Sequence, residues 1–153
     1  MSILLTGFDA FGGEAVNPSW LMLEAFNGTH IDGHAVHARR LPTAFGQSLL
    51  ALAQHIDDLQ PDLVIAFGQA GGRSTVSLER VAINCDDARI ADNAGNQPVD
   101  TRIFAHAQNA YFNTLPIKAT LLALQQAGIP SDISNTAGTF VCNHLFYGLM
   151  HLA

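Results

Sequence analysis

The feature that most limits the fold of this sequence is the alternation of short apolar runs with amphipathic stretches. Ile3 to Thr6 and Leu63 to Phe67 are nearly continuous apolar runs with the length of a buried strand. Between them, from Phe45 to Ile56, apolar residues recur every three or four positions, as on one face of a helix. Strands that alternate with helices form βαβ units with parallel strands. The pattern predicts an α/β fold, a three-layer α/β/α sandwich around a mostly parallel twisted sheet.

Capping residues, prolines and glycines predict where the other elements begin and end. Asn17 followed by Pro18 is an N-cap signal, and Thr43 can cap the helix that Pro61 ends. The predicted helices cover residues 18–26, 44–60, 116–127 and 139–151, and the remaining strands cover 35–41, 74–84 and 131–135. The polar stretch 85–113 has the length of a functional or flexible segment.

Length, charge and cysteine usage narrow the function classes. A length of 153 residues suits one domain, so we expect residues 1–153 to form a single α/β domain. The net charge of −6 provides no basic surface for nucleic acid. The amino terminus resembles neither a signal peptide nor a membrane helix, so we expect a cytoplasmic protein with no membrane partner. Cys85 and Cys142 lack a CxxC spacing, so we expect free thiols, no metal and no cofactor.

One of these cysteines lies in the segment SNTAGTFVCNHLFYG, residues 134–148. The small residues TAGTF predict a turn from a strand into the last helix, which would place the Cys142 sulfur near main-chain N–H groups and the positive end of the helix dipole. Both favour the thiolate and could stabilise an oxyanion. Free cysteine is also among the most buried residue types. Two interpretations therefore stay open, a nucleophile at a helix start and a core residue.

Five segments, in order along the whole chain, resemble the pyroglutamyl peptidase I family of cysteine exopeptidases, also called pyrrolidone carboxyl peptidases. The segments are TGFDAFGGEAVNPSW, GQAGGR, LERVAINCDDARIADNAGNQPVD, AYFNTLPIKA and SNTAGTFVCNHLFYGLMH. The resemblance implies a hydrolase that removes amino-terminal pyroglutamate from peptides through thiolate attack and an acyl-enzyme. Its partners would be peptides that begin with pyroglutamate.

The resemblance also assigns site residues. It implies that Cys142 in FVCNH is the nucleophile and that Glu79 in LERVAIN is the acidic catalytic residue. Seven more positions match residues at the substrate pocket or beside the active-site cysteine: Phe8, Phe11, Gln69, Arg89, Ile90, Phe140 and Val141. A pyroglutamyl ring has apolar faces and one amide edge, which aromatic walls and a side-chain amide would suit. The alternative is ordinary structure, with the aromatic residues in the core and the two charged residues on the surface.

The sequence departs from the family pattern at its carboxyl end. The family's catalytic histidine lies in a further strand after the cysteine helix, whereas this sequence ends at Ala153 within that helix. His144 and His151 do not replace it, because neither spacing brings an imidazole to the Cys142 sulfur on a helix. We therefore expect the C-terminal part of the family fold, with the catalytic histidine, to be absent from residues 1–153.

Two functions stay open after this departure. The chain is a cysteine peptidase of the pyroglutamyl peptidase I type, or it is a homologue with little turnover that binds pyroglutamyl ligands or acts as a structural partner. Absence of the last strand would leave a sheet edge and one side of the final helix open. Because exposed edges invite pairing with another chain, we expect a homo-oligomer.

Overall fold

A computed structural model describes residues 1–153, which divide into two compact units. Unit 1 comprises residues 1–69 and 89–97, and unit 2 comprises residues 70–88 and 98–153. In chain order the elements are β1 (Ser2–Phe8), α1 (Pro18–Glu24), β2 (His30–Ile31), β3 (His34–Leu41), α2 (Gln47–Leu59), β4 (Leu63–Ala66), β5 (Val76–Glu79), β6 (Val81–Ile83), β7 (Ala110–Phe112), α3 (Ile117–Gln126), β8 (Ser131–Ser134) and α4 (Val141–Leu152). None of these helices combines the length and the apolar character needed to cross a bilayer.

Unit 1 is built on a four-stranded sheet with the order β2-β3-β1-β4. Strand β1 pairs in parallel with both β3 and β4, and only the short β2 is antiparallel to its neighbour. Helix α1 lies between β1 and β3 in the chain, and α2 lies between β3 and β4, as βαβ crossovers require. The predicted α/β class with a mostly parallel sheet is therefore confirmed, whereas the single domain stays a prediction.

Alternation along the central strand explains why its sequence is almost continuously apolar. Ile3 and Leu5 face a core cluster that includes Leu23 of α1, together with Val36 and Ala38 of β3. Leu4, which points to the opposite face of the sheet, is also fully buried. A strand that is covered on both faces needs apolar residues at successive positions, which is the pattern seen in the sequence.

The start of α1 is fixed against the end of β1 by the predicted cap. The Asn17 side-chain oxygen accepts hydrogen bonds from the main-chain N–H and the hydroxyl of Ser19. The Asn17 side chain also donates to the carbonyl of Asp9, and the Ser19 hydroxyl accepts from the Phe8 N–H. A Cβ atom at Gly7 would lie 2.7 Å from the Ser19 carbonyl oxygen, so this close approach requires glycine.

The predicted cap of the second helix is wrong. Helix α2 begins at Gln47, its N-cap position is Gly46, and no side chain caps it. Thr43 is buried, and its hydroxyl donates instead to the carbonyl of Asp9 at 2.7 Å. A threonine before a helical pattern can therefore be used to join two loops rather than to cap the helix.

The single strand predicted over residues 74–84 is also wrong, because the chain changes sheets at Arg80. Strand β5 pairs in parallel with β8, whereas β6 pairs in an antiparallel manner with β7. At the break, the Arg80 N–H donates to the Ser134 carbonyl, and the Arg80 carbonyl accepts from the Asn113 N–H. These partners are distant in sequence, so local propensity does not show the break. Strand β7 also lies within the predicted polar segment 85–113.

The remaining elements of unit 2 match the prediction closely. Helix α3 follows Pro116 and packs on β8. Strand β8 and helix α4 lie where the sequence predicted the last strand and the last helix, within two residues at each start. Helix α4 packs on β6 and β7, so the strands that follow Glu79 support the helix that carries Cys142.

Candidate active site

Cys142 lies in the first turn of α4, as the sequence predicted. It is the second residue of the helix, directly after Val141, and no side chain caps this end. The turn that leads into the helix contains Gly138 at a φ of +75°, and the Gly138 N–H donates to the Thr136 hydroxyl. The first N–H groups of a helix have no acceptor within the helix. A negatively charged oxygen near the sulfur could therefore accept hydrogen bonds from this turn.

The ionisation of Cys142 differs from the prediction. Burial of the thiol, and then the negative charge of Glu79, raise the pKa of Cys142 to about 11. The expected lowering of this pKa at the helix start is therefore wrong. A thiol with this pKa is ionised at neutral pH to only about 1 part in 10⁴, so attack by its sulfur requires a base that takes the proton.

The Glu79 carboxylate is held by one oxygen and unpaired at the other. Glu79 is the last residue of β5, and its Oε1 accepts a hydrogen bond from Arg73 Nη1 at 3.0 Å. Its Oε2 is buried and has no hydrogen-bond partner. The main chain at this point is also fixed, because the Asn113 side chain donates to the Glu79 carbonyl at 2.9 Å. A buried oxygen without a donor is costly, which marks Oε2 as a site that can receive one.

Several hydrogen bonds join the start of α4 to the chain that follows β6. The Asn143 side chain accepts from the Ile83 N–H at 3.0 Å and donates to the carbonyls of Ile83 and Cys85 at 2.9 and 3.0 Å. His144 Nδ1 lies 2.8 Å from Asp86 Oδ2, and both side chains are buried. This contact occupies the Nδ1 atom of His144. Val141 is fully buried and Phe140 is half-buried.

The other predicted pocket residues lie in unit 1. Phe8 ends β1 and is buried, and Phe11 in the loop that follows is half-buried. Gln69 lies after β4, and its side-chain oxygen is buried without a hydrogen-bond partner. Arg89 and Ile90 are exposed. A buried amide oxygen that lacks a donor is consistent with a group that pairs with a ligand, as predicted for Gln69.

A compact turn fixes the segment that carries these two exposed residues. Asp92 accepts four hydrogen bonds, from the N–H groups of Phe45, Ala94 and Asn96 and from the Asn96 side chain. Asn93 ties the same turn to the loop after β1, because its side chain donates to the Ala10 carbonyl at 2.8 Å. Ile90 also reaches this loop, since its Cδ1 lies 3.8 Å from the place a Cβ of Gly12 would occupy.

The structure thus brings some predicted site residues together within each unit. In unit 2 the Glu79 charge acts on Cys142, with Phe140 and Val141 immediately before the sulfur. In unit 1 Ile90 approaches the loop that contains Phe11. The sequence interpretation missed three residues that organise these parts: Arg73, Asp92 and Asn143. Asn143 and Arg73 lie inside the motifs FVCNH and GQAGGR, and that position was the signal available in the sequence.

The family model for pyroglutamyl peptidase matches residues 1–153. The chain belongs to the pyroglutamyl peptidase family. Among relatives of this family, the pyrrolidone-carboxylate peptidase of Klebsiella pneumoniae is 60% identical over 149 residues, which cover 97% of this chain and 70% of the relative. The pyrrolidone-carboxylate peptidase 1 of Ralstonia nicotianae is 57% identical, with 98% and 70% covered.

Solved structures of pyroglutamyl peptidases have the same fold. The pyroglutamyl peptidase I of Bacillus amyloliquefaciens is 50% identical, with a TM-score of 0.96 over 98% of this chain and 73% of that one. The pyrrolidone carboxyl peptidase of Pyrococcus furiosus is 43% identical, with a TM-score of 0.96 over 99% and 73%. Similarity at this level, together with the family match, confirms the resemblance inferred from the five segments.

Proposed function

We propose that this chain carries the nucleophile, the acidic residue and the ring-binding residues of a pyroglutamyl peptidase. The reaction is removal of amino-terminal pyroglutamate from peptides. The observation that supports it most is the first turn of α4, where the negative charge of the Glu79 carboxylate acts on the thiol of Cys142. The family to which the chain belongs is a family of peptidases. The proposed pocket residues are those assigned by resemblance: Phe8, Phe11, Gln69, Arg89, Ile90, Phe140 and Val141.

The proposed reaction follows from the chemistry of these groups. The Cys142 sulfur attacks the carbonyl carbon of the pyroglutamyl residue, and its proton passes through a base to the departing amine. Water then hydrolyses the thioester, which releases pyroglutamate and restores the thiol. The N–H groups at the start of α4 stabilise the oxyanion in both steps. The unpaired Oε2 of Glu79 accepts an N–H from the base, which the family resemblance assigns to a histidine.

The proposed pocket would select the substrate through its amide edge. A pyroglutamyl ring presents an N–H group and a carbonyl, and the buried oxygen of Gln69 is an acceptor without a donor. A prolyl residue lacks the ring carbonyl and the amide character, so polar groups in the pocket would stay unpaired on binding it. Such a mismatch discriminates by about 10⁴ or more in rate, whereas loss of a methylene discriminates by only 10 to 200.

The test is release of a fluorescent amine from a pyroglutamyl amide, with the matching prolyl amide as the substrate control. When the histidine base is present, we expect release from the pyroglutamyl amide alone and its loss in Cys142→Ala. Cys85→Ala is the matched control, because it removes the other thiol of the chain and should keep the activity. Equal release from both substrates, or activity that survives Cys142→Ala, would contradict the proposal.

A second candidate is a ligand-binding homologue with little turnover, and the raised pKa of Cys142 favours it. A thiol that stays protonated reacts slowly unless a base assists it. Binding of a pyroglutamyl amide that is not cleaved, measured by calorimetry, would support this candidate. Rapid release in the first experiment would exclude it.

The cellular setting and the assembly are part of the proposal. We propose a cytoplasmic enzyme that needs no metal or cofactor, binds neither nucleic acid nor membrane, and forms a homo-oligomer. The net charge of −6 supports the absence of a nucleic-acid partner, because a negative chain is repelled by the phosphate backbone. Sedimentation of the purified chain tests the assembly, and a stable monomer at high concentration would contradict that part.

A further inference from the structure

The side chain of Asn143 is fully buried. Its oxygen and both of its N–H groups are hydrogen-bonded to the main chain of one segment, residues 83–85. Its oxygen accepts from the Ile83 N–H, while its two N–H groups donate to the carbonyls of Ile83 and Cys85. An amide side chain has the same donor and acceptor as a peptide unit, so it pairs with Ile83 as a neighbouring strand would. Asn143 therefore attaches the first turn of α4 to the end of β6.

This attachment also reaches Glu79, because β6 begins two residues after it. Only Arg80 separates Glu79 from β6, and the Arg80 N–H and carbonyl are both bonded to neighbouring chain segments. Ile83 is thus at a fixed position relative to Glu79, and Asn143 is the residue next to Cys142. The side-chain amide of Asn143 closes a short path from the carboxylate to the thiol.

We propose that Asn143 is a positioning residue that sets the separation between the Cys142 sulfur and the Glu79 carboxylate. The inference rests on the proposed function, in which these two groups act on the same substrate. Two other contacts support the same attachment. The Thr139 hydroxyl donates to the Asp87 carbonyl at 2.7 Å, and the Asp87 N–H donates to the Thr139 carbonyl at 3.0 Å.

The chain offers a matched control for a buried asparagine. Asn84 is also buried, and its side chain likewise makes one accepted and two donated hydrogen bonds to the main chain, with Phe104 and Gln108. Its partners belong to the loop after residue 100 and not to the start of α4. Asn84→Ala therefore removes the same number and kind of hydrogen bonds as Asn143→Ala, without releasing the turn that carries Cys142.

The experiment measures how strongly Glu79 acts on the thiol in each background. The rate of Cys142 alkylation by iodoacetamide at pH 8 is followed by mass spectrometry of the peptide that contains Cys142, so that Cys85 does not contribute. Removal of a nearby carboxylate by Glu79→Gln lowers the thiol pKa by about 1 unit, so alkylation should be about tenfold faster. In each background, the ratio compares the alkylation rate of the protein that carries Glu79→Gln with the rate of the protein that keeps Glu79. This ratio cancels changes in thiol access that are common to the two proteins.

We expect the ratio to be about tenfold in the wild-type and Asn84→Ala backgrounds. In the Asn143→Ala background it should fall to about twofold or less, because the two groups no longer keep their separation. If Asn143→Ala does not fold, Asn143→Gln replaces it, since glutamine keeps the amide but displaces it by one methylene. Equal ratios in the Asn143 and Asn84 backgrounds, or no effect of Glu79→Gln in the wild type, would overturn the inference.

A second measurement separates this inference from the proposed function. If the chain releases amine from a pyroglutamyl amide, Asn143→Ala should lower kcat more than it raises KM, because the sulfur is displaced while the proposed ring-binding residues of unit 1, Phe8, Phe11 and Gln69, keep their positions. If no variant releases amine, the proposed function fails, and the alkylation ratios still decide the role of Asn143.

Discussion

Replacement of Asp92 by asparagine tests whether a single buried carboxylate holds the segment that carries Arg89 and Ile90. Each carboxylate oxygen of Asp92 accepts two hydrogen bonds. Oδ1 accepts from the Ala94 and Asn96 N–H groups, and Oδ2 accepts from the Phe45 N–H and the Asn96 side chain. An asparagine has one oxygen, so its NH₂ group would face two donors wherever it is placed.

The magnitude follows from the two hydrogen bonds that asparagine cannot accept. A hydrogen bond to a charged group contributes about 1.5 to 3 kcal/mol. The loss of two should lower the free energy of unfolding by about 3 to 6 kcal/mol, a large part of the stability of a typical domain. Urea denaturation followed by the fluorescence of Trp20, the only tryptophan, reports on unit 1, because Trp20 packs against its core cluster.

The effect should also depend on pH with a definite sign. Burial alone raises the pKa of Asp92, but the hydrogen bonds from Asn96, Phe45 and Ala94 outweigh it and hold this pKa below its usual value. A carboxyl group with a lowered pKa contributes stability above its unfolded pKa of about 3.9 and loses it as the pH falls through the folded value. The difference between wild type and Asp92→Asn should therefore be full at pH 7 and shrink below about pH 4.

The control for Asp92→Asn is Asp58→Asn on the exposed side of α2. Asp58 accepts one hydrogen bond, from the Gln54 side chain, and its replacement should change stability by less than about 0.5 kcal/mol. A variant Asp92→Asn as stable as Asp58→Asn at pH 7 would refute the reasoning. So would a stability difference that persists unchanged at acidic pH.

Three further predictions concern packing, capping and the thiol. Gly7→Ala should lower the free energy of unfolding by about 2 to 4 kcal/mol, because its Cβ would overlap the Ser19 carbonyl; unchanged urea denaturation would contradict this. Asn17→Ala should cost about 2 kcal/mol through loss of the α1 cap, with Asn17→Asp losing less, since aspartate is also a good N-cap. The alkylation rate of Cys142 should rise about tenfold per pH unit up to a pKa of about 11, and a plateau near pH 8.5 would show an ordinary thiol.

The fold was largely predictable because its strongest signals are local. The buried strand β1, the cap at Asn17 and the helix after Pro116 each depend on residues close together in sequence, and the structure has them where predicted. The two errors have the opposite character. Thr43 bonds to Asp9, and the break at Arg80 depends on Ser134 and Asn113, so both features are set by partners distant in sequence.

The candidate site shows the same division between local and distant causes. The helix start at Cys142 could be predicted from the small residues before it. The raised pKa of its thiol could not, because it results from burial and from Glu79, and neither is visible from the neighbouring residues. Asn143 lies within the motif FVCNH, but the sequence alone predicts no role for it, since its partners Ile83 and Cys85 become apparent only when α4 packs on β6.

The position of Glu79 implies that it acts with opposite sign on two forms of the site. A lone thiolate at Cys142 is destabilised by the nearby carboxylate, which contributes to the raised pKa of this thiol. In the proposed reaction, once the proton has moved to a base that becomes a cation, the same carboxylate would stabilise the pair through its unpaired Oε2. Glu79→Gln should therefore speed alkylation of Cys142 about tenfold and slow peptidase turnover by 10² or more. If both rates changed in the same direction, Glu79 would have no part in stabilising the cation, and its role would be limited to the charge it places near the sulfur.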